Sequence, residues 1–363
     1  SYFRDENKDS RLALNRLSNV ANHTTSVPNG DFGSLAGFVQ DEFEITKRLK
    51  LIGGVRVERF FSSSTQTSGF GLPPTLSASQ LEDLGITGLD TGLSVSETAV
   101  TGDFGAVFRV TDEVSLSGRI GRSFRVANLF ERFFTGAGSI GGFLVGNPNL
   151  MPESGINFDT SVKVKTSKYA GSVTYFNNYY RDFLSSQFRF NTPIRTGGPS
   201  VQLFQTVNLG RVRIQGIEAE FEKPFRIGSG FLTPSGNISY LRGDNLAVGA
   251  QTVDQPLNTI TPLKTVLNLR WQDVERNYYA DWTTRIVNKQ ERLSISFLAS
   301  NGGAEPGFAV SDLRGGYTFQ RERYRMSVNL GVTNLFDRFY TEQFVFAPAR
   351  GRSFVVGTTW ELF

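Results

Sequence analysis

Residues 100–120 read VTGDFGAVFRVTDEVSLSGRI. Val100, Gly102, Phe104, Ala106, Phe108 and Val110 take every second position, with Thr101, Asp103, Arg109 and Thr111 mostly between them. After a turn at Asp112 and Glu113 the period returns, Val114, Leu116, Gly118 and Ile120 alternating with Ser115, Ser117 and Arg119. Successive strand side chains point to opposite faces, so the stretch predicts two antiparallel strands with one oily and one polar face.

The pattern recurs at Leu35, Gly37, Val39, Phe43 and Ile45, at Ile156, Phe158, Val162 and Val164, and at Tyr324, Met326, Val328, Leu330 and Val332. Many of these runs have about ten residues, the length of a tilted strand that crosses a bilayer and longer than most soluble strands. No segment holds the roughly eighteen apolar residues that a membrane helix needs. No basic-then-apolar leader opens the chain, which as given reads as mature or cut.

The connections separate a membrane barrel from a large soluble sandwich. Short polar turns at 46–48, 111–113, 166–168, 273–276 and 320–323 alternate with long Gly-, Ser- and Asn-rich connections at about 61–99, 125–154, 184–209, 243–262, 288–307 and 335–350. That rhythm is expected of a transmembrane barrel, with short turns on one side and long loops on the other. Backbone groups in hydrocarbon must all be paired, which a closed cylinder achieves. Phe60, Phe61, Tyr179, Tyr180, Phe183, Tyr278, Tyr279, Trp282 and Phe319 cluster near strand ends, where interfacial aromatic girdles are expected. The predicted class is all-β, a transmembrane antiparallel barrel with about thirteen strands in this chain.

Composition narrows the chemistry. The 363 residues include no Cys and one His, His23. That excludes a disulfide framework, thiolate chemistry, a Ser-His-Asp triad and a His-based zinc or haem-iron site, so ordinary hydrolytic chemistry is not expected. The 38 basic and 34 acidic residues are interspersed, which argues against nucleic acid as a partner. Asp5, Asn7 and Asp9 have the odd spacing of a calcium loop, but Ser10 replaces the turn glycine and Arg16 the bidentate Glu, so a solvated loop is the reading. Gly136, Gly138 and Gly141 spell G-x-G-x-x-G without the strand and helix of a nucleotide site. Glu218, Glu220 and Glu222 alternate along one strand and read as lumen-facing solvated carboxylates.

Several segments resemble TonB-dependent outer-membrane receptors. They are GRSFRVANLFERFF at 121–134, GNPNLMPE at 146–153, NFDTSVKV at 157–164, YFNNYYRDFL at 175–184, VNLGRVRIQGIEAEFE at 207–222, VTNLFDRFY at 332–340 and the terminal GRSFVVGTTWELF. The matches keep family order from about residue 33 to 363 and correspond to the C-terminal part of such a receptor. The resemblance implies a cylinder of twenty-two strands, an extracellular loop at 1–32 and the C-terminal part of the barrel at 33–363. It also implies a plug domain outside this chain. Residues 11–20 are a weaker candidate for one more strand. In Asn147, Pro148, Asn149, Leu150, Pro152 and Glu153 it implies a loop terminus that sets the register of the next strand, Pro fixing φ and Asn forming local turns. Two departures stand out: Phe124, Arg125, Val126, Ala127 lacks the family's Pro, and no His follows before Asn147, so haem importers that use a His there are poor models. Phe363 matches the assembly signal of such barrels, but Phe354, Val356, Trp360 and Leu362 alternate out of phase with it, which predicts either a bulge or a lumen-side Phe363.

The functional implication is a receptor in the bacterial outer membrane, not an enzyme, that binds a scarce metal chelate, a ferric siderophore first, and imports it. The partners implied are the chelate, the TonB energy-coupling complex acting through the plug, outer-membrane lipid, lipopolysaccharide and the barrel-assembly machinery, with no resident cofactor or metal. Anionic chelates favour Arg beside aromatic rings. Arg125, Arg132, Phe133 and Phe134 offer that mixture in one loop, and Phe188, Arg189, Phe190 and Arg195 in the next. A passive porin-like channel and a non-transporting surface-binding barrel are the alternatives.

Overall fold

The computed structural model describes every residue except 10, 16–19, 87–91, 139–141, 247–254, 295–302, 344 and 346. In chain order the strands are β1 (Tyr2–Asn7), β2 (Arg11–Asn15), β3 (Val20–Thr24), β4 (Gly30–Thr46), β5 (Leu49–Ser64), β6 (Ser94–Arg109), β7 (Val114–Arg125), β8 (Thr135–Ala137), β9 (Phe143–Val145) and β10 (Glu153–Lys165). They continue as β11 (Ala170–Pro193), β12 (Ser200–Glu222), β13 (Phe225–Ile227), β14 (Gly230–Asn245), β15 (Gln255–Pro256), β16 (Lys264–Asp273), β17 (Tyr278–Val287), β18 (Phe308–Arg321), β19 (Tyr324–Thr333) and β20 (Ser353–Leu362). Two short helices, α1 (Ala78–Asp83) and α2 (Leu129–Phe133), sit in connections. Thirteen of these strands reach ten residues or more. No described helix is long and apolar enough to cross a membrane.

Each long strand pairs antiparallel with the next long strand in the chain, in one continuous ladder with β1 at one end and β20 at the other. At one end of the sheet the turns share a device. Thr46 Oγ1 accepts the amides of Arg48 and Leu49, Thr111 Oγ1 those of Glu113 and Val114, and Thr166 Oγ1 those of Lys168 and Tyr169. A side-chain hydroxyl that takes two amides closes a tight turn and leaves few orphan donors. The long connections gather at the opposite end, as the rhythm of the sequence predicts.

Residues that oppose each other across a ladder share a face. Val39 opposes Val55, Phe104 opposes Ile120, Ile120 opposes Phe158, Leu269 opposes Trp282, and Val332 opposes Phe354, which makes one face apolar from end to end. These side chains are nearly all exposed, far more contiguous apolar surface than a water-facing sheet carries. The other face carries Glu42, Arg56, Asp103, Arg119, Asp159 and Asp281. Glu218 and Glu220 lie on that polar face opposite Thr174 and Ser172, with Ser172 donating to Glu220 at 2.9 Å. The aromatic girdle is divided by the same parity: Phe61, Tyr179, Tyr278, Trp282 and Phe319 belong to the apolar face, whereas Phe60, Tyr180 and Tyr279 belong to the polar one.

Some boundaries differ from the sequence reading. The connection expected over 184–209 is mostly strand, because β11 and β12 run on as a hairpin of 24 and 23 residues with an irregularity between Phe188 and Phe190. The extension packs partly on the loops through Thr192, Leu203 and Gln205, and its buried positions mix polar with apolar residues, so no oily alternation reveals it. Asp5 lies within β1, opposite Phe32, and Asp9 accepts the Ser26 amide at 2.9 Å, so the odd-spaced acids do not form one loop; Ser10 and Arg16 lie outside the described residues, as does Gly141 of the glycine motif. The β19–β20 register is unbroken, and the Phe363 amide continues it by donating to Arg323 O at 3.1 Å. That removes the bulge and leaves Phe363 on the parity of Thr359 and Glu361.

Candidate functional site

The loop end of β4–β12 is capped by a small apolar core that the long connections build among themselves. Leu84, Ile86, Phe133, Val145 and Leu203 are buried together, with Phe70, Leu76, Phe143 and Phe190 packed around them. Both helices that feed this core start with a capping box, Ser77 with Gln80 and Asn128 with Glu131, which satisfies amides that a one-turn helix would otherwise leave open. The hairpin β8–β9 extends the cap, and β9 pairs parallel with β12. Gln205, 1% exposed, ties the parts by donating to Leu84 O at 2.9 Å and Gly146 O at 3.3 Å.

Beside this core lies a polar knot. Arg132, 1% exposed, donates to Pro148 O at 3.0 Å, Ala127 O at 3.4 Å and a Glu97 carboxylate oxygen at 2.8 Å. Asn147 donates to Thr206 O at 3.0 Å while its own carbonyl accepts the Asn149 amide, and Asn149 donates to Gly85 O at 2.6 Å. Leu150 is buried with Ala127 and Leu184. Glu153 accepts the Leu184 amide at 3.0 Å and lies 3.5 Å from Arg125. The Asn-Pro segment is thus bonded to three other segments at once, just ahead of strand β10.

The candidate ligand contacts divide accordingly. Arg132, Phe133 (0% exposed) and Phe134, which stacks on Phe130 at 4.1 Å, are buried in the cap, so they offer no surface to a molecule in solution. The correction has a physical cause: a guanidinium with three oxygen partners and a ring in an apolar core act as fasteners. Phe190 also packs on the core, and Arg189 donates to Asp83 O at 2.6 Å. Arg125, bonded to Glu131 at 2.9 Å, remains exposed, as do Phe188 and Arg195. The two loops meet through Phe133 and Phe190, not through their arginines.

Below the cap, the polar face presents guanidinium groups over rings, a feature invisible without the register. Arg56 lies 5.9 Å from the Phe38 ring centroid and Arg270 lies 4.4 Å from that of Tyr279. Arg285 lies 5.0 Å from Phe308 and holds Glu342 through two hydrogen bonds of 2.8 and 2.5 Å. Those bonds keep the Glu342 carboxyl below the usual carboxylate range. A cleft of about 640 Å³ opens beside Arg56, Asp103, Arg119, Asp159 and Tyr180. Such a wall can take an anionic, ring-bearing molecule through ion pairs and stacking. Glu97 and Gln205 could not be found from spacing, since their partners lie 35 and 121 positions away.

The family model of TonB dependent receptor-like β-barrels matches residues 1–335. Among curated proteins, the chain is 25% identical over 263 residues to the heme/hemopexin utilization protein C of Haemophilus influenzae, covering 68% of this chain and 35% of that one. It is 26% identical over 235 residues to the ferric enterobactin receptor PirA of Pseudomonas aeruginosa, covering 60% and 30%. The chain thus spans about a third of the length of these relatives. Among solved structures, the copper transporter OprC superposes with a TM-score of 0.73 at 20% identity, covering 99% of this chain and 52% of that one.

Proposed function

The chain belongs to the family of TonB dependent receptor-like β-barrels, and from that premise we propose that it forms part of a bacterial outer-membrane importer for a metal chelate, a ferric siderophore first. The apolar face meets lipid, the polar face lines the lumen, the long loops lie outside the cell and the threonine turns face the periplasm. Strand β1 and the chain from residue 30 onward belong to the barrel, and the connection between β1 and β4 belongs to the outer side. Further strands outside this chain join β1 and β20 into a closed cylinder, and a plug within it couples import to the TonB complex.

The observation that carries the ligand class is the row of guanidinium–ring pairs on the lumen wall, Arg56 with Phe38, Arg270 with Tyr279 and Arg285 with Phe308. Catecholate and carboxylate chelates present anionic oxygens beside planar groups, which this wall complements. Relatives named for ferric enterobactin and for heme support an iron source as cargo. From the cap, the exposed Arg125, Phe188 and Arg195 make the first contacts, while the buried Arg132, Phe133 and Phe134 hold the loops that carry them.

The test is uptake of radiolabelled ferric catecholate by iron-limited cells that carry the full-length receptor. Replacing Arg56 and Arg270 by Gln is expected to lower uptake at least tenfold with the barrel still folded. Unchanged uptake removes the wall from the site. A large single-channel conductance for the intact protein in a planar bilayer would replace the importer reading with a passive channel.

A further inference from the structure

On the apolar face, the rows nearest the loops change character in one sector. Arg122 on β7 occupies the row of Ile156 and Tyr179, and Arg213 on β12 continues that row. One row closer to the loops, Arg181 on β11 stands directly opposite Arg211 on β12. Arg122, Arg181 and Arg211 are exposed, and among the described residues no hydrogen bond or ion pair engages their side chains. Asp244, opposite Arg213, is already held by Arg242 and Arg292. On β16–β20 the last apolar-face residue before the loops is Thr265, Ile286, Ala309, Val332 or Phe354, none of them charged.

Like charges directly opposite on a sheet destabilise it, so an unpartnered Arg181–Arg211 pair calls for an anion between them. Guanidinium forks match phosphate oxygens two at a time. Ile156 lies in the row of Arg122, and toward the middle of the strands come Ile120 and Phe158 and, past Asn177 and Gln215, Ile217, all four of these hydrophobic side chains exposed. Tyr179 stands at the boundary, its ring 5.2 Å from the Arg213 guanidinium, as interfacial aromatics do. A free anion would leave that apolar belt without a role in the site, whereas a lipid uses both parts.

We propose that Arg122, Arg181 and Arg211 bind the phosphate groups of a phosphorylated outer-leaflet lipid whose acyl chains lie along the adjoining apolar belt. The proposal rests on the reading of that face as lipid-facing. It makes one sector of the wall a headgroup site and leaves the β16–β20 sector to lipid in general.

The experiment uses the full-length receptor in nanodiscs of zwitterionic phospholipid, titrated with lipid A bearing its two phosphates or with the dephosphorylated form, bound lipid being counted by native mass spectrometry. An arginine near a membrane surface contributes about fivefold in affinity, so the wild type is expected to prefer the phosphorylated form on the order of a hundredfold. Substituting Arg122→Gln, Arg181→Gln and Arg211→Gln together is expected to abolish the preference. Should that variant fail to fold, Arg181→Gln alone is expected to lower it about fivefold. Arg119→Gln with Arg314→Gln, on the polar face, is expected to leave it intact. An unchanged preference in the triple variant, or equal loss in the polar-face control, overturns the proposal. Displacement of the lipid by millimolar inorganic phosphate, indifferent to acyl chains, overturns it in favour of a free-anion site. Vesicle flotation separates the two readings: a receptor that does not float refutes the lipid-facing assignment, and one that floats without headgroup preference refutes this proposal alone.

Discussion

Replacing Arg132 by Leu removes a guanidinium that is 1% exposed and holds Glu97, Pro148 O and Ala127 O. The loss falls on Glu97, whose side chain is 16% exposed and would keep its charge without a partner. Breaking a buried pair by deleting one partner costs about 3–5 kcal/mol, and the partial access of Glu97 to water places this case near 3 kcal/mol. The ladder around β10 does not depend on Arg132, so the cost appears as opening of the cap and not as unfolding of the sheet. Opening becomes more frequent by roughly a hundredfold. Hydrogen exchange read by mass spectrometry on the full-length receptor measures this directly, with peptides from 126–152 expected to exchange faster and those from 156–164 unchanged. Adding Glu97→Leu removes the stranded carboxylate and is expected to restore most of the protection. The reasoning is refuted if Arg132→Leu leaves exchange at 126–152 unchanged, or if the double variant is worse than the sum of the two singles.

Three further outcomes follow from the same geometry. Gly146→Ala would place a Cβ 2.4 Å from Arg132 O and 2.7 Å from Phe133 Cα, both backbone, so proteolytic cleavage in the cap is expected to accelerate, whereas Gly357→Ala meets nothing within 4 Å and should match the wild type. Leu203→Ala, at a fully buried position in the cap core, is expected to destabilise the cap by about 2–5 kcal/mol, seen as faster exchange at 84–86. The depressed pKa of Glu342 means that its attachment to Arg285 is complete above the ordinary carboxylate range and fails as pH falls through the lowered value. A fluorophore on residue 345 is expected to gain mobility only in that acid window, and Glu342→Gln should make it mobile at neutral pH as well.

The barrel wall was legible because a lipid face and a wet face force alternation, and because threonine turns and long connections alternate with the strands. Those signals depend only on near neighbours. The loop-end extension of β11 and β12 was not legible, since the positions it buries under the loops, Thr192, Leu203 and Gln205, are mostly polar and give no period-two hydrophobic pattern. The local turn of the Asn-Pro segment, in which Asn147 accepts the Asn149 amide, could be read from its own residues. Its anchors could not, because Gly85 and Thr206 come from distant parts of the chain. The arginine-and-ring rule picked residues 125–134 by composition and did not show that Arg132, Phe133 and Phe134 are buried. Whether Arg132 reaches solvent or a carbonyl is decided by the packing of Phe133 against Leu84 and Leu203, which no local pattern encodes.

The threonine turns also bear on how the protein would yield under load. Each long strand is bonded to its immediate successor in the chain, and the hairpins β4–β5, β6–β7 and β10–β11 are each closed within a few residues by a hydroxyl that grips two amides. A tip that pulls on the C-terminus of a barrel in a bilayer would therefore take β20 alone, since a long connection separates it from β19, and then β19 with β18 as one tight hairpin. The force trace would then advance in paired-strand steps, with each pause falling where the next hairpin is still closed.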